Sequence, residues 1–255
     1  MISSLPWNAF GDRRTALIGH PYYLARSALR REIARAAEEG PRGPLLDVGC
    51  GTMPYRDLFS ECAPYECLEI DQPRNTGKSH VTHLYDGHSF NLPPETYTVV
   101  FSSQTLEHSF FPEEMLSECL RVLRPGGRLV LAMPFFWPEH EQPFDSQRFT
   151  SFGLIARLEA AGFVVRRVKK TNPGASALLQ LLIELIERPI RSILGRIRSK
   201  RIRRSLTQLV RAILAVPYTV LNVLGSSLRA IPRKSSAVEL YLDLVVIADR
   251  PELAA

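Results

Sequence analysis

Cysteine is scarce. Four residues in 255 (Cys50, Cys62, Cys67 and Cys119) stand apart, with no CxxC pair and no histidine partners at the spacing of a zinc site. The pattern fits reduced thiols in a cytosolic protein better than a disulfide framework, and no metal site is expected. Long apolar runs are also missing. None reaches about 18 uninterrupted residues, so a membrane-spanning helix is not expected. Met1–Gly11 has no basic start followed by an apolar run, and Asp12, Arg13 and Arg14 follow directly, so no secretory leader is expected. Acidic residues vanish between Arg188 and Lys234, where 12 of the 32 Lys and Arg residues lie. The rest of the chain holds 20 basic residues against 26 acidic ones. The net charge of +6 therefore describes neither an acidic body nor the basic module it carries.

What is present reads as alternating strands and helices. Residues 21–39 form an amphipathic helix stopped by Gly40-Pro41. Pro44–Val48, Tyr65–Asp71, Val81–Tyr85, Tyr97–Ser102 and Arg128–Pro134 read as strands, and Met53–Glu61 and Pro112–Leu123 as helices. Pro125-Gly126-Gly127 reads as a turn into the fifth strand. A helix over Ser151–Ala161, a glycine cap at Gly162 and a strand over Phe163–Val168 follow, and Val238–Ala248 supplies a last strand. Such alternation implies parallel βαβ units in a doubly wound α/β sheet. The organisation expected is an N-terminal helical segment (1–43), a sheet domain (44–171 and 236–255) and a basic apolar helical insertion (172–235).

The chemistry concentrates at expected strand ends. In LLDVGCGT (Leu45–Thr52) Gly49 and Gly51 permit a sharp turn and a close ligand. Pro54 stands where the third glycine of a dinucleotide fingerprint would fall. Asp47, two residues before the first glycine, would oppose a pyrophosphate and favour a cationic ligand. Asp71 and Asp86 close the next two strands, with Gly87 leaving room beside the latter. Three acids at three successive strand ends beside a glycine loop describe a ligand site, since open sheets bind at their carboxyl ends.

The ordered set LLDVGCGT, LEID, DG, SSQTLEHS and LRVLRPGGRLVLAMP resembles the class I S-adenosylmethionine (SAM) dependent methyltransferases of the ubiquinone-biosynthesis (type 11) group. The resemblance covers residues 45–170 and the final strand. It implies a Rossmann-like seven-stranded, mostly parallel sheet with an antiparallel last strand. It further implies that Asp47, Gly49, Cys50 and Gly51 hold the methionine part of SAM, Asp71 its ribose, Asp86 and Gly87 its adenine, and Ser102 and Ser103 close the pocket. Two positions depart from that pattern: Met53 replaces a third glycine, and Thr98 replaces an acid.

Methyl transfer needs alignment of nucleophile, methyl and sulfur, and a base only when the acceptor must lose a proton. Two candidates compete. One is Glu107-His108. The other is PFFWPEHEQPFDSQRFT, which resembles an H-x-x-P-x-D-x-x-R-F-T motif through His140, Pro143, Asp145, Arg148, Phe149 and Thr150. His140 is the favoured base, with Asp145 beside it. The bland alternatives are that His140, Asp145 and Arg148 order a loop and that His108 packs beside the cofactor. The acceptor implied is a small molecule or a lipid- or sugar-linked one. A noncatalytic SAM-fold interaction protein and an NAD-dependent oxidoreductase remain the rival readings. Residues 175–234 fit an anionic membrane surface on the cytoplasmic face, a cap or homodimer contact, or nucleic acid. The last is disfavoured because Tyr218 alone supplies an aromatic ring there.

Overall fold

The computed structural model describes residues 17–72, 79–231 and 240–252. They fall into two compact units. One joins the described residues up to Ala28 to Asn172–Leu242; the other comprises Leu29–Thr171 and the chain from Asp243 onward. The described residues up to Ala28 thus group with the helical insertion.

The second unit is built on seven strands: β1 (Leu45–Val48), β2 (Tyr65–Ile70), β3 (His83–Tyr85), β4 (Tyr97–Ser103), β5 (Leu123–Pro134), β6 (Val164–Lys170) and β7 (Asp243–Asp249). Their order is β3-β2-β1-β4-β5-β7-β6. β1 to β5 pair in parallel, and β7 runs antiparallel between β5 and β6. Helix α1 (Tyr23–Glu38) enters this unit at Leu29, and α2 (Pro112–Val122) and α3 (Ser151–Ala160) connect strands within it. β1 (LLDV) is buried along its whole length, as expected of a central parallel strand covered on both faces. Leu29, Ile33 and Ala36 of α1 pack on Leu45, Phe101, Val130 and Ile247, the alternate residues of four strands.

Three sequence expectations shift. Met53–Glu61 is not an α-helix; only Arg56–Phe59 forms a 3-10 turn. Pro54 disfavours helical backbone at the preceding residue, and Met53 takes the left-handed region at φ 53°. β5 begins at Leu123 rather than Arg128, with an irregularity in its pairing to β4 between Tyr97 and Val99. Gly126 and Gly127 are held there by backbone bonds to Arg250. The final strand begins at Asp243, and residues 238–239 of the expected strand lie outside the described residues.

The first unit contains the N-terminal part of α1 with α4 (Ala175–Gly195) and α5 (Lys200–Ala230). Contrary to expectation, α5 is long and apolar enough to cross a membrane.

Candidate active site

The carboxyl ends of β3, β2, β1 and β4, neighbours in the sheet, bring the expected cofactor residues to one edge. Gly49 (φ 72°) and Gly51 (φ 55°) occupy the left-handed region. A Cβ on Gly49 would stand 2.2 Å from Thr105 Oγ1, whereas nothing lies within 4 Å of one on Gly51. Gly49 is thus required by packing, and Gly51 opens a cradle. Met53 adopts the conformation of the glycine it replaces, so the loop keeps its course.

Three of the expected residues serve the scaffold directly. Asp47 is buried and accepts a hydrogen bond from Tyr65 Oη. Burial pushes its carboxyl up to about 7, against the lowering effect of that bond. Ser102 Oγ donates to Val48 O at 3.0 Å. Cys50 is buried, and its neighbour Cys67 together with burial holds its thiol far above the usual range. It therefore contributes backbone shape, not nucleophilicity.

Glu69 was missed by the sequence reading. It is buried, and its Oε1 accepts from the Gly51 N–H at 2.6 Å. Asp71 lies past the strand end and is exposed, its N–H donating to Tyr85 O at 2.7 Å. The missed signal was parity. Residues 69 and 71 share one face of an extended chain, so an acid two positions earlier reaches the glycine loop from inside the strand. Asp86 is exposed, and its Oδ1 accepts from the N–H groups of His88 (2.8 Å) and Ser89 (2.9 Å). Those bonds hold its carboxyl below the usual range. Gly87 follows at φ 100°.

The donor set suits SAM. Carboxylates and a glycine cradle meet a cationic, phosphate-free ligand, and the buried Ser103 hydroxyl has no hydrogen-bond partner among the described residues.

The two competing base candidates prove to be one cluster. The segment after β4 and the loop after β5 are stitched together. Ser146 N–H donates to Glu107 O at 2.9 Å, and Gln147 Nε2 donates to Leu106 O and Ser109 O at 3.1 and 2.6 Å. The His108 and His140 rings meet edge to face, 5.0 Å between centroids. Their Nε2 atoms lie 3.7 and 4.0 Å from Glu107 Oε1. On the far side of the rings, Asp145 Oδ2 lies 3.1 Å from His140 Nδ1 without a hydrogen bond between them and accepts instead from the His140 backbone N–H at 2.9 Å, and His108 Nδ1 is 3.3 Å from Phe144 O.

Asp145 is gripped by both terminal nitrogens of Arg148, with Nη2 to Oδ2 at 2.7 Å. Burial raises its carboxyl, but Arg148 and the His140 N–H outweigh that and hold it low. The loop-ordering pair foreseen as the bland reading is therefore real, and His140 is anchored to it. Glu107 is fully buried, neither carboxylate oxygen has a hydrogen-bond partner among the described residues, and burial pushes it up to about 8. His140 is lowered by burial, with His108 adding to the effect. This cluster can store and pass a proton. Glu107, His108 and His140, whose ligand atoms lie within 4.8 Å of one another, are also a donor set a transition metal accepts.

Residues 46–131 match the methyltransferase-domain family model. A probable S-adenosylmethionine-dependent methyltransferase of Mycolicibacterium smegmatis is 28% identical over 271 residues, spanning 98% of this chain and 96% of that protein. A malonyl-acyl-carrier-protein O-methyltransferase of Methylococcus capsulatus is 31% identical over 129 residues, 43% of this chain and 46% of its own. Among solved structures, phosphoethanolamine N-methyltransferase 2 of Haemonchus contortus, in complex with SAM, aligns with a TM-score of 0.52 at 17% identity, over 98% of this chain and 61% of that one. The 4+2 cyclase SpnF aligns at 0.54 and 20% identity, over 90% and 82%. At such identities these two structures speak for the fold alone.

Fold, glycine loop and family match together define a class I SAM-dependent methyltransferase. Within that class, residues 46–131 are similar to the type 11 methyltransferase domain.

Proposed function

We propose that the protein transfers a methyl group from SAM to a hydroxyl of a small or lipid- or sugar-linked acceptor, with His140 as general base. The observation that supports this reading is the His140–Asp145–Arg148 arrangement meeting the bare Glu107 carboxyl. A dedicated proton acceptor is needed for a hydroxyl and superfluous for an already nucleophilic atom.

SAM supplies the electrophilic methyl group when bound. Glu69 and the Gly49–Gly51 turn would hold its ribose and methionine ends, and Asp86 with Gly87 would flank its adenine. The Asp145 carboxylate, 3.1 Å from His140 Nδ1, favours the tautomer protonated there, which leaves Nε2 as the acceptor. Burial keeps that imidazole neutral near pH 7, ready to take the hydroxyl proton. The imidazolium then formed is stabilised by the Asp145 carboxylate at 3.1 Å. Arg148 keeps Asp145 ionised and fixed, so it is a positioning residue.

The test is release of S-adenosylhomocysteine from SAM against a panel of hydroxylated glycans, glycolipids and isoprenoid-linked sugars. His140→Ala is expected to lower kcat at least about 100-fold while calorimetry finds SAM affinity unchanged. An unaltered rate removes His140 from the chemistry. Treatment with a chelator is expected to leave turnover intact. Loss of turnover restored by a divalent metal would reassign Glu107, His108 and His140 as metal ligands.

A further inference from the structure

Helices α4 and α5 are inside out. On α5 the buried positions are Tyr218, Asn222 and Gly225, while Leu209 (56%), Ile213 (64%), Val216 (70%) and Val220 (60%) stand exposed. At about 100° per residue these four fall within a narrow stripe, which Ile202 and Val223 extend along the helix. The buried residues project from the opposite side. α4 repeats the inversion in part: Gln180, Glu184 and Glu187 are buried beside Ala177 and Ile183, while Leu178, Leu182, Leu185 and Ile193 are exposed.

The polar faces are fixed where they are. Tyr218 Oη donates to Glu187 Oε1 at 2.9 Å, and Gln180 Nε2 donates to Pro21 O at 2.8 Å. Asn222 Nδ2 donates to His20 O at 3.0 Å. A Cβ on Gly225 would stand 2.6 Å from Leu24 Cδ1. Neither helix can turn its leucines inward without losing these contacts. Some apolar medium must meet the stripe.

We propose that this face docks on an anionic phospholipid bilayer, with α5 lying in the plane of the interface. Charge selects the occupant. Between 188 and 231 there are ten Lys or Arg residues and no acid, and six of the ten cluster in 196–204, around the turn that joins the two helices. Anionic headgroups satisfy that cluster while acyl chains cover the stripe. A second copy would oppose it with the same positive charge and no acid to pair with. A nucleic acid would leave the stripe wet. The in-plane orientation follows from the fixed polar face and from Arg211, midway along an otherwise apolar stretch. A helix of this length passes the test for spanning by composition, but spanning would strip Tyr218 and Asn222 of their partners.

The full chain is tested by co-sedimentation with phosphatidylcholine vesicles and with vesicles containing phosphatidylglycerol, at low and high salt. Binding to the anionic vesicles, weakened by salt, is expected. A triple variant, Ile213→Ser with Val216→Ser and Val220→Ser, changes only exposed side chains. It should keep its melting temperature and its SAM affinity yet lose binding roughly tenfold or more. Arg201→Glu with Arg204→Glu should do the same. Three results overturn the proposal. The folded protein at low salt fails to sediment with anionic vesicles. Light scattering finds a dimer that the triple variant dissociates, assigning the face to a second copy. Or the protein is released only by detergent and resists both salt and alkaline carbonate, which would make α5 a spanning helix.

Discussion

At the residue scale, the glycine loop separates two roles that look identical in sequence. Gly49 and Gly51 both sit at positive φ, where any side chain costs about 1–2 kcal/mol. Only at Gly49 does a new Cβ also strike the Thr105 side chain, at 2.2 Å. Gly49→Ala is therefore expected to destabilise by more than about 2 kcal/mol, and Gly51→Ala by about 1 kcal/mol, in denaturant titrations. Equal losses would mean that Thr105 swings aside freely. Glu69 and Asp71 form a second pair. Glu69 is buried against the loop and Asp71 is exposed, so Glu69→Gln should weaken SAM binding roughly tenfold and Asp71→Asn less. Calorimetry giving the reverse order would return the ribose to Asp71. The acidic character of this edge was legible from the sequence. Which acid faces inward was not, because it depends on where β2 ends and which face of that strand the loop folds over.

At the scale of elements, periodicity located the strands and the helices α1, α2 and α3, because burial on a sheet imposes it, but it set the starts of β5 and β7 five residues away from where they fall. It failed at Met53–Glu61, where apolar spacing suggested a helix but Pro54 and the left-handed Met53 allow only a single turn. α3, expected over Ser151–Ala161, is capped at its start by Thr150, whose Oγ1 accepts from Gly153 N at 3.1 Å, and Leu154 and Leu158 of the helix are buried. Thr150→Ala should cost about 1 kcal/mol in thermal or chemical unfolding. No change would mean that packing alone fixes the start of that helix. The inverted faces of α4 and α5 were not legible. A helical apolar stripe reads the same whether it points at a core or away from one, and only the placement of Tyr218 and Glu187 decides the direction.

At the scale of the whole molecule, buried carboxyls set the pH response. Burial raises Glu107 to about 8, Asp47 to about 7 and Asp243 to about 6. In the unfolded chain such groups ionise near pH 4. Between about pH 4 and 8 the unfolded chain thus holds fewer protons than the folded one, and stability falls as pH rises through that window. Asp145 and Asp249, held low by their arginines, act in the opposite sense and lose their contribution only in stronger acid. Maximum stability is expected near pH 4, at the acid end of that window. Glu107→Gln should raise the melting temperature at pH 8 more than at pH 5, by an amount on the order of a few kcal/mol in stability. An equal shift at both pH values would show that Glu107 is ionised when folded.

Two things were determined by the sequence alone. The α/β class follows because strand and helix periods are local imprints of burial on a sheet. The use of SAM follows because a glycine turn and strand-end acids carry their own backbone and charge requirements. Tertiary structure decided the rest. It joined Glu107 and His108 to His140 and Asp145, more than thirty residues apart, and made one cluster of what had read as rival candidates. It also turned the apolar faces of α4 and α5 outward. Both outcomes depend on long-range packing, in which the partner of a residue is set by the path of the backbone and not by its neighbours in the chain.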